Sequence, residues 1–481
     1  MELIWLPFLL GVLLLVLRPL RENAKARTAY VTASLLLECG AAVRTALGPG
    51  FSLTLGHLAD NLLIAVKVDS LSRVFLVMGA AIWLLAGVFA FGYLRDDKRS
   101  GWFFVVYLLA FGALCGIACS ANLVTLYLFF EALTLTSSLL VFYPCTHEAA
   151  MAGLKYLFYS IGGAFLALLG IFFLTRMNEG LFFLPGGVAL YTEAVGGDGV
   201  LLLITFLMLI GVGAKAGMYP LHGWLPTAHP VAPAPASAVL SGLIVKAGVF
   251  FAIRIVYYIV GAETLRGTWV QYAWMVLALV TVFIGSMLAY MEPVLKKRLA
   301  YSTVSQVSYI LFGLSLLTST GLLGALLHMM YHAAAKCGLF LCAGAFITQT
   351  GRTRVDDLRG AGKAMPVTTA CFAAFGLSLV GIPPFSGFVS KWYLATGAYG
   401  ADIGAFALIG PAVLLISALL TAGYLFPPVV RGFFAPARAN TSEAPAVMTL
   451  PLVALAVLTL ALGLASLPLL EILSPITRAV L

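Results

Sequence analysis

The chain has 481 residues, of which 62% are hydrophobic and only 10% charged, with a formal net charge of +9. Soluble domains carry about 25% charged residues, so a chain this apolar and this long excludes a water-soluble fold. The basic excess gathers in short loops at alternate ends of apolar runs, as orientation in a bilayer demands, and this excludes nucleic acid as the partner.

Apolar runs of about 18 residues or more recur from end to end, and period-two alternation is absent, which predicts an all-α polytopic membrane protein and not a β-barrel. Fourteen transmembrane helices are expected, near 2–18, 28–48, 70–93, 101–119, 121–143, 150–175, 199–220, 232–259, 268–290, 299–318, 320–349, 364–398, 403–427 and 447–472. The first opens MELIWLPF, with no basic leader, and is followed by Arg18, Arg21, Lys25 and Arg27. It therefore reads as a retained span with its N-terminus on the non-cytoplasmic side. The loops after odd-numbered spans add Arg95, Lys98 and Arg99, then Lys296, Lys297 and Arg298, then Arg352, Arg354, Arg359, Lys363, Arg431 and Arg438. Loops after even-numbered spans hold little beyond Arg44, Lys67, Arg73, Arg176, Arg266 and Arg478. The bias keeps its phase, so both termini are expected on the non-cytoplasmic side. The longest polar gaps, around 49–69 and 176–198, leave no room for a redox or nucleotide-binding module. The seven cysteines show no CxxC motif and read as small packing residues.

Two spans carry breakers at mid-membrane. The seventh contains GAKAGMYPLHG, with Pro220, and the twelfth GIPPFSGFVSKW, with Pro383 and Pro384. Each break frees backbone groups that hydrocarbon does not tolerate unless they line a polar cavity or are buried in protein. The two breaks lie five spans apart, an odd offset that places them in opposite orientations. Discontinuous helices at matching places in two inverted halves point to an ion path. The expected organisation is residues 1–100 as helices one to three, 101–260 and 261–428 as two inverted five-helix repeats, and 429–481 as the last helix.

Five formal charges lie deep in neutral stretches: Glu131, Lys215, Lys246, Lys336 and Lys391. An ionised side chain at a helix centre costs about 2.5–3.5 kcal/mol on the mildest scale, so such residues mark pathways or relays. The bland alternative is a buried pair that fixes helix order, or a lysine snorkelling to the interface. Four lysines against one glutamate cannot be neutralised pairwise. An ammonium group buried without an anion favours its neutral form and can exchange a proton near neutral pH, which arginine cannot do. His328, His332 and Lys336 recur every four residues and share one helix face. The His pair alone completes no metal or haem site. His222 and His229 flank the break in span seven, where a proton shuttle and an interfacial histidine are equally good readings. Ser302, Thr303, Ser305, Gln306 and Ser308 on span ten are candidates for holding bridging waters. Spacing then suggests a relay: Glu131 and Lys215 form a switchable pair, Lys215 passes its proton towards Lys246, and the His332–Lys336 face carries it to Lys391.

At these residues the chain resembles the antiporter-like, proton-translocating subunits of respiratory complex I, of Mrp-type multisubunit Na⁺/H⁺ antiporters and of energy-converting membrane hydrogenases. LYLFFEALTLTSSLL (126–140), AKAGMYPLHGWLPTAHPVAPAPASAVLSGLIVKAGVF (214–250), HMMYHAAAKCGLFLCAGA (328–345), DDLRG (356–360) and GIPPFSGFVSKW (381–392) carry the resemblance. It implies a fourteen-helix fold with inverted repeats and a polar axis in the membrane plane. On that axis Glu131 and Lys215 form the paired position, Lys246 the bridge and Lys391 the terminus of the second half. It also implies work inside a larger complex of the prokaryotic cytoplasmic (inner) membrane, beside further antiporter-like subunits and a peripheral redox module. Any iron–sulfur clusters, and any oxidoreductase activity, would belong to partners, with no cofactor in this chain. H⁺ is the expected ion; Na⁺ is the alternative, against which stands the single deep carboxylate, Glu131. A self-contained carrier of an organic solute is the competing class, and a scaffold whose charges only hold helices together is the third.

Overall fold

The structure, a computed structural model, describes residues 2–59, 62–436 and 441–481. Arg438, counted above among the loop cations, lies outside the described residues. Helices dominate. Those of seven residues or more are α1 (Glu2–Val16), α2 (Ala24–Leu47), α3 (Ser70–Tyr93), α4 (Ser100–Ala118), α5 (Leu123–Phe142), α6 (His147–Met177), α7 (Asp198–Ala216) and α8 (Leu225–Val231). They continue as α9 (Ala234–Val260), α10 (Trp269–Met291), α11 (Leu295–Ser315), α12 (Ser319–Thr350), α13 (Pro366–Val380), α14 (Ser386–Tyr399), α15 (Phe406–Phe434), α16 (Ala446–Leu464) and α17 (Ser466–Ala479). Among the described residues ten helices are long and apolar enough to cross a bilayer: α3 to α7, α9, α10, α12, α15 and α16. The chain is an integral membrane protein.

The gap at 49–69 departs from an all-helical reading. It folds as an antiparallel hairpin of β1 (Ser52–Ala59) and β2 (Leu62–Lys67), with Ser52 opposite Lys67 and Leu53 opposite Val66. Its inner strand, LLIAVK, is rich in strand-forming side chains, a signal too short to stand out beside the apolar spans. Backbone bonds tie it to the helix bundle: Lys67 N–H donates to Cys119 O at 2.7 Å, Ala121 N–H to Ala65 O at 3.0 Å, and Ala65 N–H to Thr125 Oγ1 at 2.9 Å.

Three span boundaries also move. Span ten begins earlier, so Lys296, Lys297 and Arg298 occupy the first turn of α11 and not a loop, and Lys296 is only 5% exposed. Span fourteen is two helices, α16 and α17, whereas span twelve divides into α13 and α14 at its expected breaker. Span seven stops at Ala216, so Pro220 and His222 follow the end of α7 instead of interrupting it.

α9 lies at the centre, with every residue from Ala234 to Val260 buried. Two wide π-helical stretches, Leu240–Ile244 and Ile255–Val260, bracket the regular turns that carry Lys246. Such bulges often accompany function because they displace side chains from the regular helical rows. Glycines set the spacing around this core. A Cβ at Gly248 of α9 would lie 2.6 Å from Val212 O and 2.9 Å from Ala216 N of α7, so the turn after Lys246 presses on the turn holding Lys215. α6 and α7 meet through Gly163 and Gly211, where a Cβ on either would overlap the other's carbonyl oxygen. Gly163→Leu should therefore force the two backbones apart and cost about 1–3 kcal/mol by overpacking. Thermal unfolding of the purified protein in detergent checks this; an unchanged midpoint would refute the close approach.

Candidate functional site

Both helix breaks are closed by the same local device. α7 ends in Gly217 at φ 81°, with Met218 N–H donating to Gly213 O at 2.8 Å and Gly217 N–H to Ala214 O at 3.2 Å. α13 ends in Gly381 at φ 90°, with Ile382 N–H donating to Leu377 O at 3.1 Å. Glycine suits both positions because a left-handed residue there wraps the chain end back onto the last turn. Side-chain donors reach the terminal carbonyls at both breaks. At the first break Trp224 Nε1 donates to Ala214 O at 2.8 Å. At the second, Lys391 Nζ donates to Leu379 O at 2.6 Å and to Val380 O at 2.9 Å. A cation at a helix C-terminus is favoured by the helix dipole, so Lys391 is held by the break itself.

In the first half, α5 and α7 bring Glu131 and Lys215 near each other without an ion pair between them. Lys215 Nζ instead donates to Thr134 Oγ1 at 2.5 Å, one turn along α5 from Glu131. It lies 4.7 Å from the centre of the Phe130 ring and 5.5 Å from that of Tyr156, whose hydroxyl is 2.7 Å from Ser137 Oγ. Glu131 is half-buried, and its Oε1 is enclosed without a hydrogen-bond partner.

A second set runs from α9 of the first half into the second half. Lys246 Nζ lies 2.6 Å from His332 Nδ1 and donates to Ser241 O at 2.5 Å. Ser241 is in the π-helical stretch, and its hydroxyl is 2.7 Å from Thr303 Oγ1 on α11. His332 stacks on His328 at 6.0 Å between ring centres, and His328 stacks on Tyr309 at 5.2 Å. His328 Nε2 is 3.1 Å from Gln306 Oε1, and its Nδ1 is 2.9 Å from Ser390 Oγ. Lys391 Nζ lies 5.0 Å from the centre of the same Tyr309 ring. Four helices (α9, α12, α11 and α14) thus line up Lys246, His332, His328 and Lys391. Each of the first three residues is buried.

Other expected residues take different places. Lys336 Nζ donates to Leu299 O at 3.0 Å, on the α12 face that carries the histidines. His229 is buried against Phe340 at 4.5 Å between ring centres, with both nitrogens unpartnered. His222 is half-buried beside Tyr219. Of the span-ten residues, Gln306 and Thr303 touch the axis. Ser302 bonds to Tyr424 OH at 2.6 Å, and Ser305 lies 2.8 Å from Ser286 Oγ and 3.2 Å from Ser417 Oγ, facing α10 and α15. Ser308 closes on Val304 O of its own helix at 3.0 Å.

Three charged side chains that are 5% exposed or less escaped the sequence reading. Lys296 donates to Pro230 O at 3.1 Å and to Ala232 O, closing the end of α8 at the floor of a cavity of about 500 Å³ that Asp97, Arg99, Tyr143 and Thr353 also line. Its place in a run of basic residues made it look like a loop cation. Arg254, on α9, makes a bidentate pair with Asp69 at 2.6 and 3.0 Å and is wrapped by Phe183, Phe250 and Tyr258. As an arginine inside the span at 232–259, it was visible in the sequence. Glu38 is the third, so Glu131 is not the only deep carboxylate. Among the described residues no three His, Cys, Asp or Glu side chains converge as a metal-binding group.

Comparison with known proteins identifies the family and the fold. A family model described as "NADH:quinone oxidoreductase/Mrp antiporter, TM" matches residues 120–417, the stretch that holds the axis. The chain is 34% identical over 419 residues to NADH-quinone oxidoreductase subunit N of Desulforudis audaxviator (strain MP104C), covering 83% of this chain and 82% of that protein. It is 30% identical over 374 residues to hydrogenase-4 component B of Escherichia coli (strain K12), covering 74% of this chain but only 54% of that longer protein. The fold matches a chain in the structure of the Mrp complex from Dietzia sp. DQ12-45-1b with a TM-score of 0.86 at 23% identity, over 100% of this chain and 97% of that one. The chain belongs to the NADH:quinone oxidoreductase/Mrp antiporter membrane-subunit family.

Proposed function

We propose that this chain is a proton-translocating membrane subunit of a multisubunit energy-converting complex, and that the buried line from Lys246 through His332 and His328 to Lys391 is its conducting element. The observation that carries this reading is the 2.6 Å contact between Lys246 Nζ and His332 Nδ1. Both atoms hold or give up a proton, and neither has an anion to fix it in the charged form. Glu131 and Lys215 act as the gate. In contact, the carboxylate keeps a proton on Lys215; apart, with Thr134 as partner, Lys215 releases it towards Lys246 across the Gly248 contact. Lys296, which lines its cavity and bonds to the end of α8 that carries His229, gives the axis access from the side that carries the basic loops.

The family supports the finer organisation as well. The matched closures at Gly217 and Gly381 fit two inverted repeats, residues 101–260 and 261–428, flanked by 1–100 and 429–481, within fourteen membrane crossings. The alternating basic loops support termini on the non-cytoplasmic side of a prokaryotic cytoplasmic membrane. Glu131 and Lys391 are both half-buried, one at each end of the axis, where neighbouring antiporter-like subunits would complete it. Redox chemistry or Na⁺ exchange, and any iron–sulfur clusters, then sit in partner subunits.

Lys215→Ala separates this from the scaffold reading. The complex should assemble at the normal level, as seen in purified membranes, and fail to move protons into vesicles. Loss of assembly would mean that the lysine only holds helices together. Transport of an organic solute by the isolated chain would favour the carrier reading instead.

A further inference from the structure

Glu38 lies apart from the axis, in the middle of α2. It is 1% exposed, and both carboxylate oxygens are buried with no hydrogen-bond partner in the chain. Two neighbouring polar atoms share that condition: Ser34 Oγ, one turn earlier on the same face, and Trp83 Nε1 of α3. α2 and α3 run antiparallel, since an Arg73 guanidinium N–H donates to Gly48 O at 2.9 Å at one end while Leu35 fills the space beside Gly87 towards the other. That register brings Glu38 level with Trp83. α4 closes the third side, where Tyr107 OH donates to Trp83 O at 2.7 Å and the Tyr107 ring packs on the indole at 4.6 Å.

The titratable groups around Glu38 are Tyr30 on its own helix, whose hydroxyl donates to Leu10 O of α1, and Tyr107 and Cys115 of α4. None of these is a cation, and α3 contributes only the neutral indole. A carboxylate closed off from water, with neither a cation nor a directed N–H, is strongly disfavoured. A neutral carboxylic acid needs one donor for its C=O and one acceptor for its O–H. Trp83 Nε1 can supply the first and Ser34 Oγ the second, directly or through a single water held by these partners.

We propose that Glu38, Ser34 and Trp83 form a second proton-holding pocket in this chain, in which Glu38 is a neutral carboxylic acid hydrogen-bonded to Ser34, Trp83 and one internal water. The pocket stands beside the conducting line and not on it. Ile82, next to Trp83, lies against Gly242 in the π-helical stretch before Lys246, so one helix layer separates the two. Among the described residues no hydrogen bond joins Glu38, Ser34 Oγ or Trp83 Nε1 to that line, and the proton stays with Glu38 while the axis turns over.

Infrared difference spectra of the intact complex in native membranes, wild type against Glu38→Gln near neutral pH, test this. One carboxylic-acid C=O band should be lost with no loss of carboxylate bands, and in the wild type that band should stay unchanged during proton transport. Loss of carboxylate bands overturns the pocket; an acid band that bleaches during transport puts Glu38 on the path and overturns its isolation. If Glu38→Gln does not accumulate, Glu38→Asp must shift the acid band, and an unshifted spectrum counts against the proposal. These outcomes are independent of what Glu131 or Lys215 variants do to transport.

Discussion

Glu131→Gln should abolish proton transport, by about a hundredfold, the loss typical of removing one group that must accept and release a proton. Glutamine keeps the shape of the side chain and its place on α5, so the complex should still assemble. What it removes is the charge that holds a proton on Lys215 when the two approach. On the proposed reading, the arrangement with Lys215 on Thr134 and Glu131 Oε1 unpartnered corresponds to the separated half of that cycle. Acidification of vesicles containing the purified complex measures the rate. Undiminished transport would mean that the pair is no gate and that protons reach Lys246 by another way, for which the cavity above Lys296 is the first candidate.

Lys246→Met should be as severe, for a different reason. Methionine fills much the same volume inside α9 but breaks the contact to His332 Nδ1 and leaves Ser241 O without its side-chain donor. Transport should fall by about a hundredfold while the folded protein persists. Lys246→Arg sharpens the test. A guanidinium keeps positive charge and hydrogen bonds but does not release its proton under physiological conditions. Arginine should therefore fail to restore transport. An active arginine variant would show that position 246 supplies only a fixed charge, and the relay would be wrong there.

Much of this site was readable along the chain because its signals are local. Charges in long apolar runs, glycine and proline at Gly217–Pro220 and Gly381–Pro384, and the four-residue spacing of His328, His332 and Lys336 need no knowledge of distant residues. Glu38 and Arg254 were equally visible as single charges within spans. They were passed over because Arg44 and Arg27 bracket the first, and the second lies near a span's end. Lys296 could not be told from its neighbours Lys297 and Arg298, because only the early start of α11 turns it inward.

By itself, then, the order of residues determined a helical membrane protein with two broken spans and a row of stranded basic groups, since hydropathy, helical period and backbone breakers act within a few residues. Tertiary structure alone decided the partners: Lys246 with His332, 86 positions apart, Lys215 with Thr134, 81 apart, and Arg254 with Asp69, 185 apart. In a bilayer core no water is at hand to satisfy a buried polar atom, so each must find its partner wherever helix packing brings one. Close approach at glycines such as Gly163, Gly211 and Gly248 sets which helices touch, and that depends on the whole bundle at once.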